Sequence, residues 1–250
     1  MGPTLALLLL VCGGYASGQL KNDRPNLVGP YHVSLQVNGR QYCGGTIVDD
    51  RWILTAGKCY NEYSKENSTA VVGTNNLQTG GTSYLIDRFI VHSRFQSKQF
   101  GIPHNIALVR LTTPLVYNKF VEKIEISDKH VPDNATLSSV GTDKSINMVK
   151  ALPQEECLRQ YHNTIMGPFV NVGNLCTVNP ADQRPTFGIT GSGLILEGKL
   201  VGVFRSPGLL GRYSYPNANT RVSYYHDWIQ TTIANNSDEA AITGRPSVRN

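Results

Sequence analysis

The chain has 250 residues, 40% of them apolar and 16% charged, with a formal net charge of +5. That length suits one domain or two fused halves. The positive charge is spread out, with no block of five or six basic residues, which argues against a nucleic-acid-binding protein.

Residues 1–18 read as a secretory signal: Leu5 to Val11 form a short apolar run, and Ala16 to Gly18 supply small residues for cleavage. No Lys or Arg precedes the run, a departure from the usual pattern. The run is too short to span a bilayer as a helix. Residues 19–29 form a leader. Val33–Val37 alternates apolar and polar and predicts a strand. Gly45–Val48 and Trp52–Leu54 predict two more, split by a turn at Asp49-Asp50. Further strands are expected near Thr69–Val72, Tyr84–Val91 and Ile106–Leu111, the last closed by Pro114. The second half carries strand signals near Ile146–Val149, Val170–Cys176, Gly193–Leu196 and Leu200–Phe204. Tyr224–Ala234 is the clearest helical segment, with Tyr225, Trp228, Ile229 and Ile233 at helical spacing. Residues 235–250 are polar, contain Gly244 and Pro246, and are expected to form a flexible tail. Many short strands with frequent Gly and Pro predict an all-β protein.

Removal of the signal removes Cys12 and leaves Cys43, Cys59, Cys157 and Cys176. In an oxidising compartment four cysteines favour two bridges, and three pairings are open. No C-x-x-C or H-x-x-x-H spacing supports a metal site, and no metal or cofactor is expected. The sequons at Asn67, Asn134 and Asn235 agree with a secretory route and with glycosylation.

Three segments carry the chemistry. Trp52-Ile53-Leu54-Thr55-Ala56-Gly57-Lys58-Cys59 resembles the W-I-L-T-A-A-H-C of trypsin-like proteases, with Lys58 in place of histidine. His104-Asn105-Ile106-Ala107-Leu108-Val109-Arg110-Leu111 resembles N-D-I-A-L-x-x-L, with Asn105 in place of aspartate. Gly188-Ile189-Thr190-Gly191-Ser192-Gly193 resembles G-D-S-G-G-P, with Thr190 in place of serine. The likeness to the chymotrypsin/trypsin (S1) serine protease family covers roughly residues 30–233. It implies an all-β fold of two Greek-key six-stranded β-barrels: the first at about 30–120, the second at about 121–222, and a C-terminal helix at about 224–234. It also implies that Cys43 pairs with Cys59 and Cys157 with Cys176. A further family bridge is missing, because Thr186 and Leu210 stand where its cysteines would be.

A serine protease needs a hydroxyl nucleophile, an imidazole to take its proton and a carboxylate to orient the imidazole. A lysine is protonated near neutral pH unless strongly desolvated. Asn105 offers no charge, and Thr190 keeps a hydroxyl but adds a methyl group. Loss of one triad member typically costs about four to six orders of magnitude in rate. His104 does not substitute: neighbours on an extended strand point to opposite sides, so it is expected to pack or face solvent.

Active relatives also pair a new I-V-G-G terminus with the aspartate before the serine. Here that position is Ile189, and no I-V-G-G lies near Gly18 to Lys21. The oxyanion donors would be the remnants Gly188 and Thr190, without their supporting ion pair. The substrate strand S-W-G corresponds to Arg205-Ser206-Pro207, where proline has no N–H to donate. Counting back six from Thr190 places Arg184 at the base of the specificity pocket, where it would plug the pocket or select an acidic group.

The expectation is a secreted, catalytically inactive protease homologue that binds another protein through loops around and away from the old cleft. Rival readings are a weak hydrolase using Lys58 and Thr190, and a structural or storage role. The first barrel looks most like the mite trypsin-like allergens and, among mite proteins, the scabies mite inactivated serine protease paralogues. That resemblance implies interference with host complement or other plasma proteins. Cascade-regulating arthropod serine protease homologues are the runner-up; they usually carry a clip domain, for which this chain has no room or cysteines.

Overall fold

The computed structural model describes residues 28–60, 67–74, 80–97, 103–142, 145–180, 188–205 and 215–237. Six strands come from the first half: β1 (His32–Val37), β2 (Arg40–Asp49), β3 (Trp52–Thr55), β4 (Ser68–Val72), β5 (Thr82–Val91) and β6 (Ala107–Leu111). They close into a barrel in the order β1-β2-β3-β6-β5-β4. Asn38 and Gly39, both at positive φ, join β1 to β2. This Asn-Gly pair supplies the left-handed turn that a two-residue hairpin needs.

The second half contributes β7 (Glu125–Ile126), β8 (Thr136–Val140), β9 (Ile146–Ala151), β10 (Asn174–Val178), β11 (Gly193–Leu196), β12 (Lys199–Val203) and β13 (Asn217–Arg221). These run β11-β8-β9-β10-β13-β12, with a β11–β12 pairing that closes the ring. The short β7 adds beside β12 in parallel. Two helices complete the described chain, α1 (Gln154–Tyr161) and α2 (His226–Asn235). The two expected six-stranded barrels and the C-terminal helix are present.

Strands β3 and β6 are buried on both faces, so the core there does not follow a simple alternation: Leu35, Ile47, Ile53, Leu54, Leu108 and Val109 all lie in the first cluster. Leu137, Val149, Leu175, Leu194 and Phe204 fill the second. Val222, Tyr225 and Ile229 pack against the first cluster, so the chain end crosses back over the first barrel. The disulfides are Cys43–Cys59 and Cys157–Cys176, the pairs that the family resemblance implies.

Some local readings need correction. The strand expected from Val170 begins only at Asn174. Gly167–Phe169 is a single 3-10 turn, and the Asn171 side chain accepts from the Gly173 N–H at 2.8 Å, which holds a turn there. β7, β8 and α1 were not expected. The helix predicted over Tyr224–Ala234 is a 3-10 turn over Val222–Tyr225 followed by α2. The signal and most of the leader, along with the tail from residue 238, lie outside the described residues.

Asn219 in β13 is a buried polar hub. Its Nδ2 donates to the Leu175 and Asn217 carbonyls and to Thr177 Oγ1, while its Oδ1 accepts from the Arg205 N–H at 3.0 Å. Asn219→Ala strands the Arg205 N–H in a water-free interior. It is expected to lower stability by about 2 kcal/mol, read as a shifted urea midpoint at unchanged slope.

Candidate functional site

Two runs of bonds bring Lys58, Asn105 and Thr190 together. Lys58 sits in a 3-10 turn over Gly57–Cys59, held by Cys59 N–H to the Ala56 carbonyl and Tyr60 N–H to the Gly57 carbonyl. Its backbone N–H donates to Asn105 Oδ1 at 2.9 Å. The adjacent Cys59 is bonded to Cys43, and Gly44 next to it donates to the Thr190 carbonyl at 2.7 Å. Lys58, Asn105 and Thr190 therefore converge at the junction of the two barrels, as the three motifs require.

Their environments differ sharply. Asn105 is buried and Thr190 half-buried, whereas Lys58 is exposed. No carboxylate pairs with Lys58 among the described residues. Asn105 Nδ2 is buried with no hydrogen-bond partner among them. The asparagine keeps one backbone bond and leaves its other end unsatisfied, a cost of about 1–3 kcal/mol. With a neutral imidazole and a carboxylate, the same positions would carry a formal charge of −1; here they carry +1.

Gly57 stands where the family motif has alanine. A Cβ there would lie 3.1 Å from the Phe95 ring and 3.3 Å from the Ile106 nitrogen. The Phe95 ring therefore leaves little room for a methyl group at Gly57, beside Lys58.

The loop bearing Thr190 is pinned on both sides. The Ile189 N–H donates to the Val140 carbonyl at 3.1 Å, Gly191 N–H to Phe204 at 2.9 Å, and Phe204 N–H to Ser192 at 2.7 Å. Gly191 lies at φ +90, a conformation that glycine tolerates. At Gly188 a Cβ would come within 2.6 Å of the Phe204 ring, so packing alone calls for glycine at this oxyanion remnant. Ser192 Oγ is buried without a partner among the described residues.

Ile189 packs with Val28 and Val140 in a small apolar cluster. The place where the family resemblance calls for an ion pair is thus occupied by three hydrocarbon side chains. Arg205, the first residue of the altered substrate strand, is almost fully buried, and burial pushes its guanidinium pKa down. Arg184, Ser206 and Pro207, along with Thr186 and Leu210, lie outside the described residues.

His104 is not on an extended strand, as the sequence reading assumed: it has φ +53, and β6 begins only at Ala107. Its ring stacks on His92, with Tyr225 and Trp228 beside the pair. Of the two expected outcomes, packing or facing solvent, it packs, and His92 was not foreseen as its partner. No periodicity in the sequence links residues 92 and 104. Asn67, Asn134 and Asn235 are all exposed.

Comparison with known proteins agrees with this geometry. The family model described as "Trypsin" matches residues 19–229. Trypsin iota of Drosophila melanogaster is 26% identical over 239 residues, covering 89% of this chain and 93% of that protein. Trypsin of Phaedon cochleariae is 25% identical over 214 residues, covering 80% and 82%. Among solved structures, the scabies mite inactivated protease paralogue S-D1 superposes with a TM-score of 0.72 at 20% identity, covering 82% of this chain and 92% of that one. Neuropsin from mouse brain gives 0.71 at 22% identity, covering 84% and 96%. With the family model spanning both barrels and the three motif segments meeting between them, the chain belongs to the trypsin family.

Proposed function

We propose that this protein is a secreted, proteolytically inactive member of the trypsin family that acts by binding another protein. One observation carries the reading. Lys58 occupies the general-base position with its side chain exposed, and its backbone N–H is held by an uncharged Asn105. A lysine base needs desolvation to lose its proton, and exposure supplies none. Lys58 is therefore not a base for the Thr190 hydroxyl.

The uncharged side chain at Ile189 supports the same reading. Oxyanion donors work only when held in place before the reaction, and the ion pair that holds them in active relatives has no counterpart at Ile189. The disulfides and the exposed sequons support secretion. Host complement or plasma proteins are the partner class we favour, on the resemblance of the first barrel to the inactivated mite paralogues. Loops on a rigid β scaffold would carry the contact.

A fluorophosphonate probe tests the chemistry. The mature protein is expected to remain unlabelled under conditions that label an active trypsin completely. Labelling that vanishes in Thr190→Ala would establish a working hydrolase instead. Immobilised mature protein should retain a defined set of plasma proteins; retention of none would favour a structural or storage role.

A further inference from the structure

The C-terminal helix is fastened to the first barrel by two histidines that the old reaction centre does not use. His92 and His104 stack with ring centroids 4.8 Å apart and planes 7° from parallel. Tyr225 meets both rings edge-on, at 5.4 Å from His92 and 5.9 Å from His104. Trp228 of α2 lies 5.3 Å from His92. Tyr225 Oη and His104 Nδ1 are 3.0 Å apart.

The hydrogen bonds dictate a neutral His92. Its Nδ1 accepts the Arg94 N–H at 3.3 Å, so that nitrogen carries no proton. A proton on Nδ1 would break this bond, and a second charge on His104 would put two cations face to face. Among the described residues, the charged and titratable groups facing the pair are these. Arg94 comes from the turn after β5, and Tyr225 and Tyr224 come from the turn before α2. On α2 itself, Asp227 is fully exposed and lies 3.5 Å from His226 Nδ1. No carboxylate pairs with either stacked ring among the described residues.

We propose that the His92–His104 stack is an acid-sensitive latch: closed when both rings are neutral, it holds α2 on the first barrel, and protonation opens it. The opening has a path to the old centre. His104 is bonded through the chain to Asn105, whose side chain accepts from Lys58 and whose carbonyl accepts from Thr220 Oγ1 at 2.8 Å. Phe95, whose N–H donates to the His92 carbonyl, packs on Gly57 beside Lys58.

Burial, then His104 and Arg94, push the His92 pKa from its usual 6.5 down to about 4. Burial and then Arg94 lower that of His104. An opened latch binds protons near pH 6.5, whereas the closed latch resists them until about pH 4. The closed form is therefore fully favoured above about pH 6.5 and loses ground as pH falls through that window.

Hydrogen exchange on the full mature protein, corrected for intrinsic rates, reads this directly. Protection of residues 226–235 is expected to fall by at least about tenfold between pH 7 and 4.5, while β9, β10 and β13 stay unchanged. In His92→Phe/His104→Phe, which keeps two stacked rings without titratable nitrogens, the fall should disappear. Equal helix protection at the two pH values would overturn the latch, as would a uniform loss across all strands or an undiminished fall in the double variant. Should that variant not fold, imidazole titration by NMR in the wild type decides: midpoints for His92 and His104 at or above that of exposed His162 would overturn it equally.

Discussion

Restoring Lys58→His, Asn105→Asp and Thr190→Ser together is expected to give no measurable hydrolysis of small peptide esters. The reason lies one residue before the nucleophile. A triad supplies proton transfer and attack, but the developing oxyanion needs donors fixed in advance, and loss of one such donor alone costs about 10²–10³ in rate. In active relatives an ammonium–carboxylate pair fixes them. Here Ile189 is packed against Val28 and Val140 and offers no charge. Arg205 begins the substrate strand as a buried cation, and Pro207 follows it without an N–H. Titration with a tight active-site inhibitor and a sensitive ester assay would measure the outcome. Turnover within about a hundredfold of an active trypsin would show that Ile189 and the altered strand do not matter.

Ile189→Asp gives back the family residue and is expected to harm the fold, by about 4 kcal/mol at pH 7. The substitution removes a buried isoleucine, worth about 2 kcal/mol of burial, and sets a carboxylate against Val28 and Val140, which among the described residues form its apolar cluster. Such a carboxyl has its pKa raised by desolvation. The charge penalty is therefore present at neutral pH and is relieved as pH falls below that raised pKa. The deficit relative to wild type should shrink between pH 7 and pH 4.5, leaving the part due to the lost side chain. Paired urea melts at the two pH values check both the size and the sign. An unchanged midpoint at pH 7 would mean that the cluster yields easily, or that a cation reaches the new carboxylate.

How far the sequence could be read depends on how strongly each element patterns its residues. Val33–Val37, Trp52–Leu54 and Ile106–Leu111 are dense in apolar and β-branched residues, and all belong to the first barrel. β8, with the sequence Thr-Leu-Ser-Ser-Val, buries Ser139 on its inner side and so hides its period. β7 is two residues long and gives no pattern at all. α1 was legible in retrospect: Pro153 precedes it, Glu155 and Glu156 stand in its first turn, and Arg159 comes late. It was missed because only Cys157 and Tyr161 face inward. The meeting of Lys58, Asn105 and Thr190 was legible from the motifs because they are long. The unsatisfied Asn105 Nδ2, the Gly57–Phe95 fit and the His92–His104 stack were not, since each joins residues whose sequence separation carries no period.

Both barrels are hydrogen-bonded around their full circumference, and only the two-residue β7 stands outside the rings. A ring closed in this way leaves few backbone donors and acceptors for an incoming strand. The partner proposed above would therefore be read mainly by side chains on the connecting segments, which can vary without disturbing a ladder pairing.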